Sequence, residues 1–311
     1  MNDKLFDNIK TFIEFGYNPE KICSIIGISD AELLGCLQKI QMDEKRKNRY
    51  ILIHNLMHSN PYNIFENPSK ICIISDTHYF SIKDRPDIIK LIYSYCDDEG
   101  IKHVFCAGDF TNGYYPKHLQ YNNDNKVDGI DNMIDYVVNK HPFRKNIMFY
   151  TISGNHDLSF LRTRGINICR EIVKYREDMV YLGHNKISVK FNNLLLCLSH
   201  GNERYGRGEK RYQRYYKDYL TASEKPDIIA LGHIHRSGYR KYNDTHILQT
   251  PALVDTPKYL LSKGICSQKG FWTADISTVD ENVIISPKLY EIDDGLGISR
   301  VKIKGGYYDG K

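Results

Sequence analysis

From residue 70 onward one local form recurs: a run of four to six residues rich in Ile, Val, Leu or Phe, followed by a loop carrying Asp, His or Asn. Five stretches share it: KICIISDTH from Lys70, HVFCAGDF from His103, NIMFYTISGNHD from Asn146, NLLLCLSHGN from Asn193 and DIIALGHIH from Asp227. Such runs are too short for helices, and Gly-containing loops bound them, so they fit buried strands. Between them, helical spacing predicts helices over Pro86 to Tyr95 and Gly129 to Val138. Alternating strands and helices predict an α/β domain with a largely parallel sheet. In such sheets a ligand lies at the carboxyl ends of the strands, where all five polar loops fall. After about residue 262, GFWTADIS and NVIISPKLYEI read as two strands completing a second sheet.

The first 43 residues carry a different period and read as three short helices. Leu5, Phe6, Ile9, Phe12 and Ile13 follow helical spacing, and Gly16 ends that segment. Pro19 opens a second helix, PEKICSII, and Gly27-Ile28-Ser29 makes a tight turn. Ser29 is placed to cap a third helix from Asp30. Helix, Gly-containing turn, helix resembles small DNA-binding modules; a three-helix cap for packing or dimerisation has the same pattern. The basic stretch within DEKRKNRY suits a helix end or linker, and Pro61 and Pro68, with several Asn between, mark a boundary. The expected organisation is a helix-turn-helix-like module over 1–45, a linker over 46–69 and the main domain over 70–311.

Composition narrows the class. The chain has 311 residues, 41% hydrophobic and 26% charged, as expected of a soluble protein. No stretch approaches the roughly 20 apolar residues that span a bilayer, and the start MNDKLFDNIK lacks an apolar signal core. No membrane partner is expected. Eight scattered cysteines without a CxxC pair read as reduced thiols in a cytoplasmic protein. The net charge of +5 permits an anionic partner without requiring one. Nothing in the sequence sets an oligomeric state.

The chemistry lies in the loops. Five strand ends together supply two aspartates, one asparagine and five histidines: Asp76, His78, Asp109, Asn155, His156, His200, His233 and His235. Taken singly, each has a plain explanation as a cap, core or surface residue. Together, carboxylate, amide oxygen and imidazole are the donors that suit divalent manganese, iron or zinc. No cysteine joins them, which argues against a structural zinc site.

The ordered series Asp76-Thr77-His78, Gly108-Asp109, Gly154-Asn155-His156-Asp157, Ser199-His200-Gly201 and Gly232-His233-Ile234-His235 resembles the calcineurin-like metallophosphoesterase superfamily. The resemblance spans roughly residues 70–260. It implies a four-layer sandwich, two mixed β-sheets flanked by helices, beside the small N-terminal helical module. It also implies two divalent metal ions, manganese favoured, with iron, zinc, nickel or magnesium compatible. In that pattern Asp76, His78 and His235 hold one ion, Asn155, His200 and His233 the other, and Asp109 bridges both. The cations polarise a phosphate ester and activate water for in-line attack, while His156 protonates the leaving group as general acid. Some branches carry an aspartate three residues after the bridging one, orienting that histidine. Here the position is Asn112, and Asp157 is an alternative support.

The superfamily motifs define the reaction and not the substrate. Two features lean toward nucleic acid or a nucleotide. One is the segment after His200, in which Arg204, Arg207, Lys210, Arg211, Arg214 and Lys217 interleave with Tyr205, Tyr212, Tyr215, Tyr216 and Tyr219. Cations attract phosphates and rings stack on unpaired bases, making Arg204, Tyr205, Arg207 and Arg211 candidate substrate contacts. The same pattern fits an amphipathic helix whose tyrosines pack inward. The other feature is the helix-turn-helix-like start. In addition, PDIIALGHIHR looks like the corresponding stretch of double-strand-break repair nucleases. A nuclease or nucleotide phosphodiesterase is therefore expected. The alternatives are a phosphomonoesterase acting on phosphoprotein or a small metabolite, and a scaffold with a relic metal site.

Overall fold

The computed structural model describes residues 5, 8, 9, 19–28, 32, 33, 36, 61–116, 124–201, 208–220, 225–262, 264, 266–280, 282–293, 300–303 and 306–308. The chain divides into two compact units, residues 1–60 and 61–311. In the first, Pro19–Ile26 forms helix α1. Its proline suits a first helical turn, where no N–H is needed, and Gly27 leaves the helix with a φ of 74°. Ile9, Ile22 and Leu33 are buried. Most of the expected first and third helices, and with them the helix-turn-helix reading, lie outside the described residues.

The second unit contains β1 (Tyr62–Ile64), β2 (Lys70–Ile74), β3 (His103–Cys106), β4 (Met148–Ser153), β5 (Met179–His184), β6 (Lys186–Phe191) and β7 (Leu195–Ser199). There follow β8 (Ile228–Leu231), β9 (Gly238–Tyr242), β10 (Thr245–Gln249), β11 (Gly270–Val279), β12 (Asn282–Asp293), β13 (Arg300–Ile303) and β14 (Gly306–Tyr308). The helices are α2 (Pro86–Asp98), α3 (Ile130–Lys140), α4 (Asp157–Arg164), α5 (Ile168–Val173), α6 (Glu209–Leu220) and α7 (Lys258–Leu261). The larger sheet runs β14-β13-β12-β11-β2-β3-β4-β5 and the smaller β1-β6-β7-β8-β10-β9. All five strands expected from the apolar runs are present, as are both helices.

Alternation along each strand builds the layers. Ile71 and Ile73 of β2 pack with Leu196 and Leu198 of β7 and with Ile228 and Ala230 of β8, between the sheets. Cys72 and Ile74 face the other way, onto Ile88, Ile89, Ile92 and Tyr93 of α2 and Met133 and Val137 of α3. On the outer face of the smaller sheet, Cys197, Ile229 and Ile247 meet Tyr212 and Tyr215 of α6. The result is helix, sheet, sheet, helix. Strands covered on both sides need apolar residues at every position, so they read as unbroken runs. β12, alternating exposed and half-buried over most of its length, shows what a one-sided strand looks like instead.

One expectation needs correcting. β11 and β12 do not complete the smaller sheet. β11 pairs antiparallel with β2, Trp272 opposite Ile73 and Ala274 opposite Ile71, and so extends the larger one. Their local pattern sets a hairpin but not which exposed sheet edge receives it, because any β edge offers the same backbone groups.

Behind the larger sheet, His141 is enclosed by Tyr79, whose hydroxyl lies 3.1 Å from Nδ1, and Tyr93, whose hydroxyl lies 2.6 Å from Nε2. Burial, with the Arg176 guanidinium adding to it, pushes His141 well below its ordinary value of 6.5. The folded state therefore holds a neutral imidazole, while the unfolded chain takes up a proton near that ordinary value. Its contribution to stability is complete above about pH 6.5 and is lost as pH falls, with a limiting slope of about 1.4 kcal/mol per pH unit. Urea unfolding at pH 7 and 5.5 should show a smaller acid loss in His141→Gln than in the wild type. An unchanged slope would refute the assignment.

Candidate metal centre

The five polar loops leave the carboxyl ends of β2, β3 and β4 in the larger sheet and of β7 and β8 in the smaller one. Backbone bonds lace neighbouring loops: Asp76 N donates to Gly108 O at 3.0 Å, and His78 N to Asp109 O at 3.1 Å. Other bonds tie the sheets to each other at this end. His233 N donates to Asp76 Oδ2 at 2.9 Å, and His200 Nδ1 meets Ala107 O at 2.9 Å.

The turns are tight enough to force unusual backbone. Asp76, His78, Asp109, His233 and His235 have φ of 52°, 43°, 49°, 81° and 53°. This is the left-handed region, which costs a residue with a side chain about 1–2 kcal/mol. Strain of this kind concentrates where geometry serves function. The adjoining glycines are required by proximity. A Cβ on Gly108 would sit 2.6 Å from His200 Nδ1, and one on Gly154 would collide with Asp109 Oδ1.

Three donor groups result, the chosen atoms of each lying within 4.8 Å of one another: Asp76, His78 and His235; His78, Asp109 and His156; Asp109, His200 and His233. Asn155 joins the last, its Oδ1 standing 3.0 Å from His200 Nε2. All seven expected ligands are thus brought together, with Asp109 common to two groups. His200 Nε2 lies 2.9 Å from Asp109 Oδ2, and His235 Nε2 lies 3.3 Å from Asp76 Oδ1. The carbonyl of Ala107 can only accept, so His200 Nδ1–H donates to it, which turns Nε2 toward the centre. Ser267 Oγ, 3.1 Å from His235 Nδ1, orients that ring similarly. Neither Ala107 nor Ser267 was legible in advance, since a backbone carbonyl carries no residue signature and Ser267 lies far along the chain.

Electrostatics hold both carboxylates ionised. Burial alone would raise Asp76, but the imidazoles of His235 and His200 outweigh it and bring the group to about 2. Burial opposes Asp109 too, and His200 and His156 hold it well below the carboxylate range. In return, burial lowers His200 but Asp109 raises it further, to about 9.

His156 is oriented by a different atom from the one expected. Its Nδ1 donates to the backbone carbonyl of Asn112 at 2.7 Å, while the Asn112 side chain points to Asn125. Nor does Asp157 support the imidazole. Its carboxylate accepts from Phe110 N, Thr111 N, Thr111 Oγ1 and Gly154 N, at 2.7 to 3.1 Å. It staples the Asp109 loop to the Asn155 loop. Burial, then Asp109, pushes its carboxyl up to about 6.

Of the expected substrate contacts, Arg204, Tyr205 and Arg207 lie outside the described residues. Arg211 is buried, its guanidinium 5.5 Å above the Tyr215 ring, and Nη2 lies 2.7 Å from where a Cβ on Gly201 would be. Tyr212 and Tyr215 are core residues. Their rings pack against the smaller sheet and are not available for base stacking. Beside His78 and His156 opens a cleft bordered by Ile82, Lys83, Tyr115, Asp124, Pro257 and Lys258. Among the described residues no helix is long and apolar enough to cross a membrane.

A two-sheet sandwich with carboxylates and imidazoles converging between strand ends defines a metal-dependent hydrolase of phosphate esters. The chain belongs to the calcineurin-like phosphoesterase superfamily, whose domain matches residues 70–253. No curated protein sequence matches. Among solved structures, the chain is similar to an archaeal phosphodiesterase, at 17% identity over 70% of this chain and 99% of that one, with a TM-score of 0.40. It is also similar to zinc-bound Vps29 of Entamoeba histolytica, at 13% identity over 78% of this chain and 99% of that one, with a TM-score of 0.44. A third is vacuolar protein sorting 29 of Cryptosporidium parvum, at 14% identity, 78% and 98% coverage and a TM-score of 0.43.

The Asp157 staple has a testable consequence. Asp157→Ala strands three buried N–H groups, each costing about 1–3 kcal/mol when unpaired. Chemical denaturation should show a loss of about 3 kcal/mol or more, and a loss below about 1 kcal/mol would contradict the staple.

Proposed function

We propose that this protein is a dinuclear metal phosphodiesterase acting on nucleotide or nucleic-acid esters. The observation that carries the reading is the place of Asp109, grouped with His200 and His233 on one side and on the other with His78, which also groups with Asp76 and His235. Asp76, His78 and His235 would hold one ion, Asn155, His200 and His233 the other, and Asp109 both. The residues fit that role. Asp76 Oδ1 is buried and makes no well-formed hydrogen bond, its near neighbour being the His235 imidazole at 3.3 Å, an arrangement that suits an oxygen and a ring nitrogen turned toward a common ion. Oxygen and imidazole donors without thiolate favour manganese, with iron, zinc, nickel and magnesium compatible. When bound, the ions supply charge neutralisation at the phosphoryl oxygens and an activated water.

The chain's own residues do the rest. With Nδ1–H committed to Asn112 O, His156 has only Nε2 left to carry a proton to the departing oxygen. That atom lies 4.0 Å from Asp109 Oδ2, on the face of the centre that opens into the cleft. A positioned acid of this kind is worth about 10²–10⁴-fold. Lys83 and Lys258 give the cleft positive charge, and Tyr115 gives it an aromatic wall 5.4 Å from the His156 ring. A leaving portion with a negative charge and a planar ring suits such walls, and a nucleotide has both. Arg204, Tyr205, Arg207 and the N-terminal module are proposed as contacts to a longer strand, on sequence grounds.

Apo-protein prepared by chelation should be inactive toward bis-p-nitrophenyl phosphate and regain activity with Mn²⁺. Turnover of p-nitrophenyl phosphate should be slower. Full activity after verified metal removal would refute metal dependence, and faster monoester turnover would favour a phosphomonoesterase. Asp109→Ala should lose both metals by elemental analysis, whereas His235→Ala should chiefly lose one. Retention of two full equivalents in Asp109→Ala would contradict the shared ligand.

A further inference from the structure

Asn125 stands outside every motif that marks the site, yet its side chain grips the turn on which His156 depends. We infer that Asn125 is a positioning residue for His156, acting through the Asn112–Gly113 peptide; the inference rests on the general-acid reading of His156. Its Oδ1 accepts from Asn112 Nδ2 at 2.7 Å, and its Nδ2 donates to Gly113 O at 3.3 Å. One amide thus holds the turn on both sides of the carbonyl that receives His156 Nδ1–H at 2.7 Å.

The remaining groups leave the turn little freedom. Asn112 N donates to Tyr79 O at 3.1 Å, and Lys126 N to Phe80 O at 2.7 Å, so both ends of the clamp hang on the strand-like stretch after β2. Asn125 itself bridges to Ser81 there. On the other side Ser159 Oγ accepts from Tyr114 N at 2.7 Å and donates to His156 O at 2.6 Å. The Gly113 carbonyl also settles the orientation of the Asn125 amide. Turning it over would set Oδ1 against that carbonyl, acceptor against acceptor.

The clamp accounts for asparagine at 112. An aspartate there has no N–H for Asn125 Oδ1, and two acceptors would face each other. The imidazole is held by a main-chain carbonyl, whose position is only as well defined as the turn that carries it. Freeing the turn lets the ring swing and takes Nε2 off the departing oxygen, with no metal ligand disturbed. The loss should therefore appear in kcat where the leaving group needs a proton, and not where it departs unaided.

The test compares p-nitrophenyl and phenyl esters of the same phosphate, with Mn²⁺ bound. Asn125→Ala should lower kcat about tenfold on the phenyl ester, a fraction of what a positioned acid supplies. It should change the p-nitrophenyl ester less than about twofold, with KM and metal content unchanged. In a His156→Ala background, Asn125→Ala should have no further effect, as expected when two residues act through one another. Asn125→Asp, which keeps the acceptor for Asn112 Nδ2 but sets a second oxygen against Gly113 O, should recover only part of the phenyl-ester activity. Equal losses on both esters, or a further loss in the His156→Ala background, would overturn the inference. If the wild type turns over neither ester with metal bound, it is the phosphoesterase reading that fails.

Discussion

One carboxylate organises this site. Asp109 Oδ2 faces His200 Nε2 at 2.9 Å, His78 Nε2 at 3.9 Å and His156 Nε2 at 4.0 Å, while Oδ1 accepts from His156 N at 2.8 Å. A buried charge must be paired, and several imidazoles around one carboxylate do so at short range. Neutralising Asp109 would leave those rings facing each other across a cavity built for an anion. The left-handed backbone at five donor residues is tolerable because sheet pairing and loop bonds hold each turn from both sides.

The two sheets share the work in a way that couples chemistry to architecture. Asp76, His78, Asp109 and Asn155 follow strands of the larger sheet, and His200, His233 and His235 follow strands of the smaller one. Each donor group with an Asp76 or Asp109 carboxylate and a smaller-sheet histidine draws on both. An ion in either place would therefore link the sheets, adding to the apolar layer between them. Ligand that binds only the folded state raises stability by mass action. Asp157, bracing the Asp109 and Asn155 loops, keeps the larger sheet's share in register without touching the imidazoles.

The strands and the residues that converge at their ends were legible because their chemistry is local. A run such as KICII, buried on both faces, can be read without knowing its neighbours, and the loop behind it declares its donors. What depends on distant pairing was not. The hairpin of β11 and β12 could be recognised but not assigned to a sheet. The support of His156 falls to a main-chain carbonyl, so residue type at 112 pointed to the wrong atom. For the tyrosines of α6 the sequence left stacking and packing both open, and the structure packs Tyr212 and Tyr215 inward. Tyr212, Tyr215 and Tyr216 recur at helical intervals, the mark of a packed face, and the cations interleaved with them suit either reading.

The central claim is that two ions share Asp109, and the magnetism of a manganese-loaded sample tests it without reference to any substrate. Two Mn²⁺ ions joined by one carboxylate are close enough for exchange coupling, which reshapes the electron paramagnetic resonance spectrum. Titration of the metal-free protein should give a coupled spectrum that grows to completion at two equivalents. It should be lost in Asp109→Asn, leaving only the signal of isolated ions. A wild-type spectrum of isolated, uncoupled ions at full loading, or saturation at a single equivalent, would contradict the account.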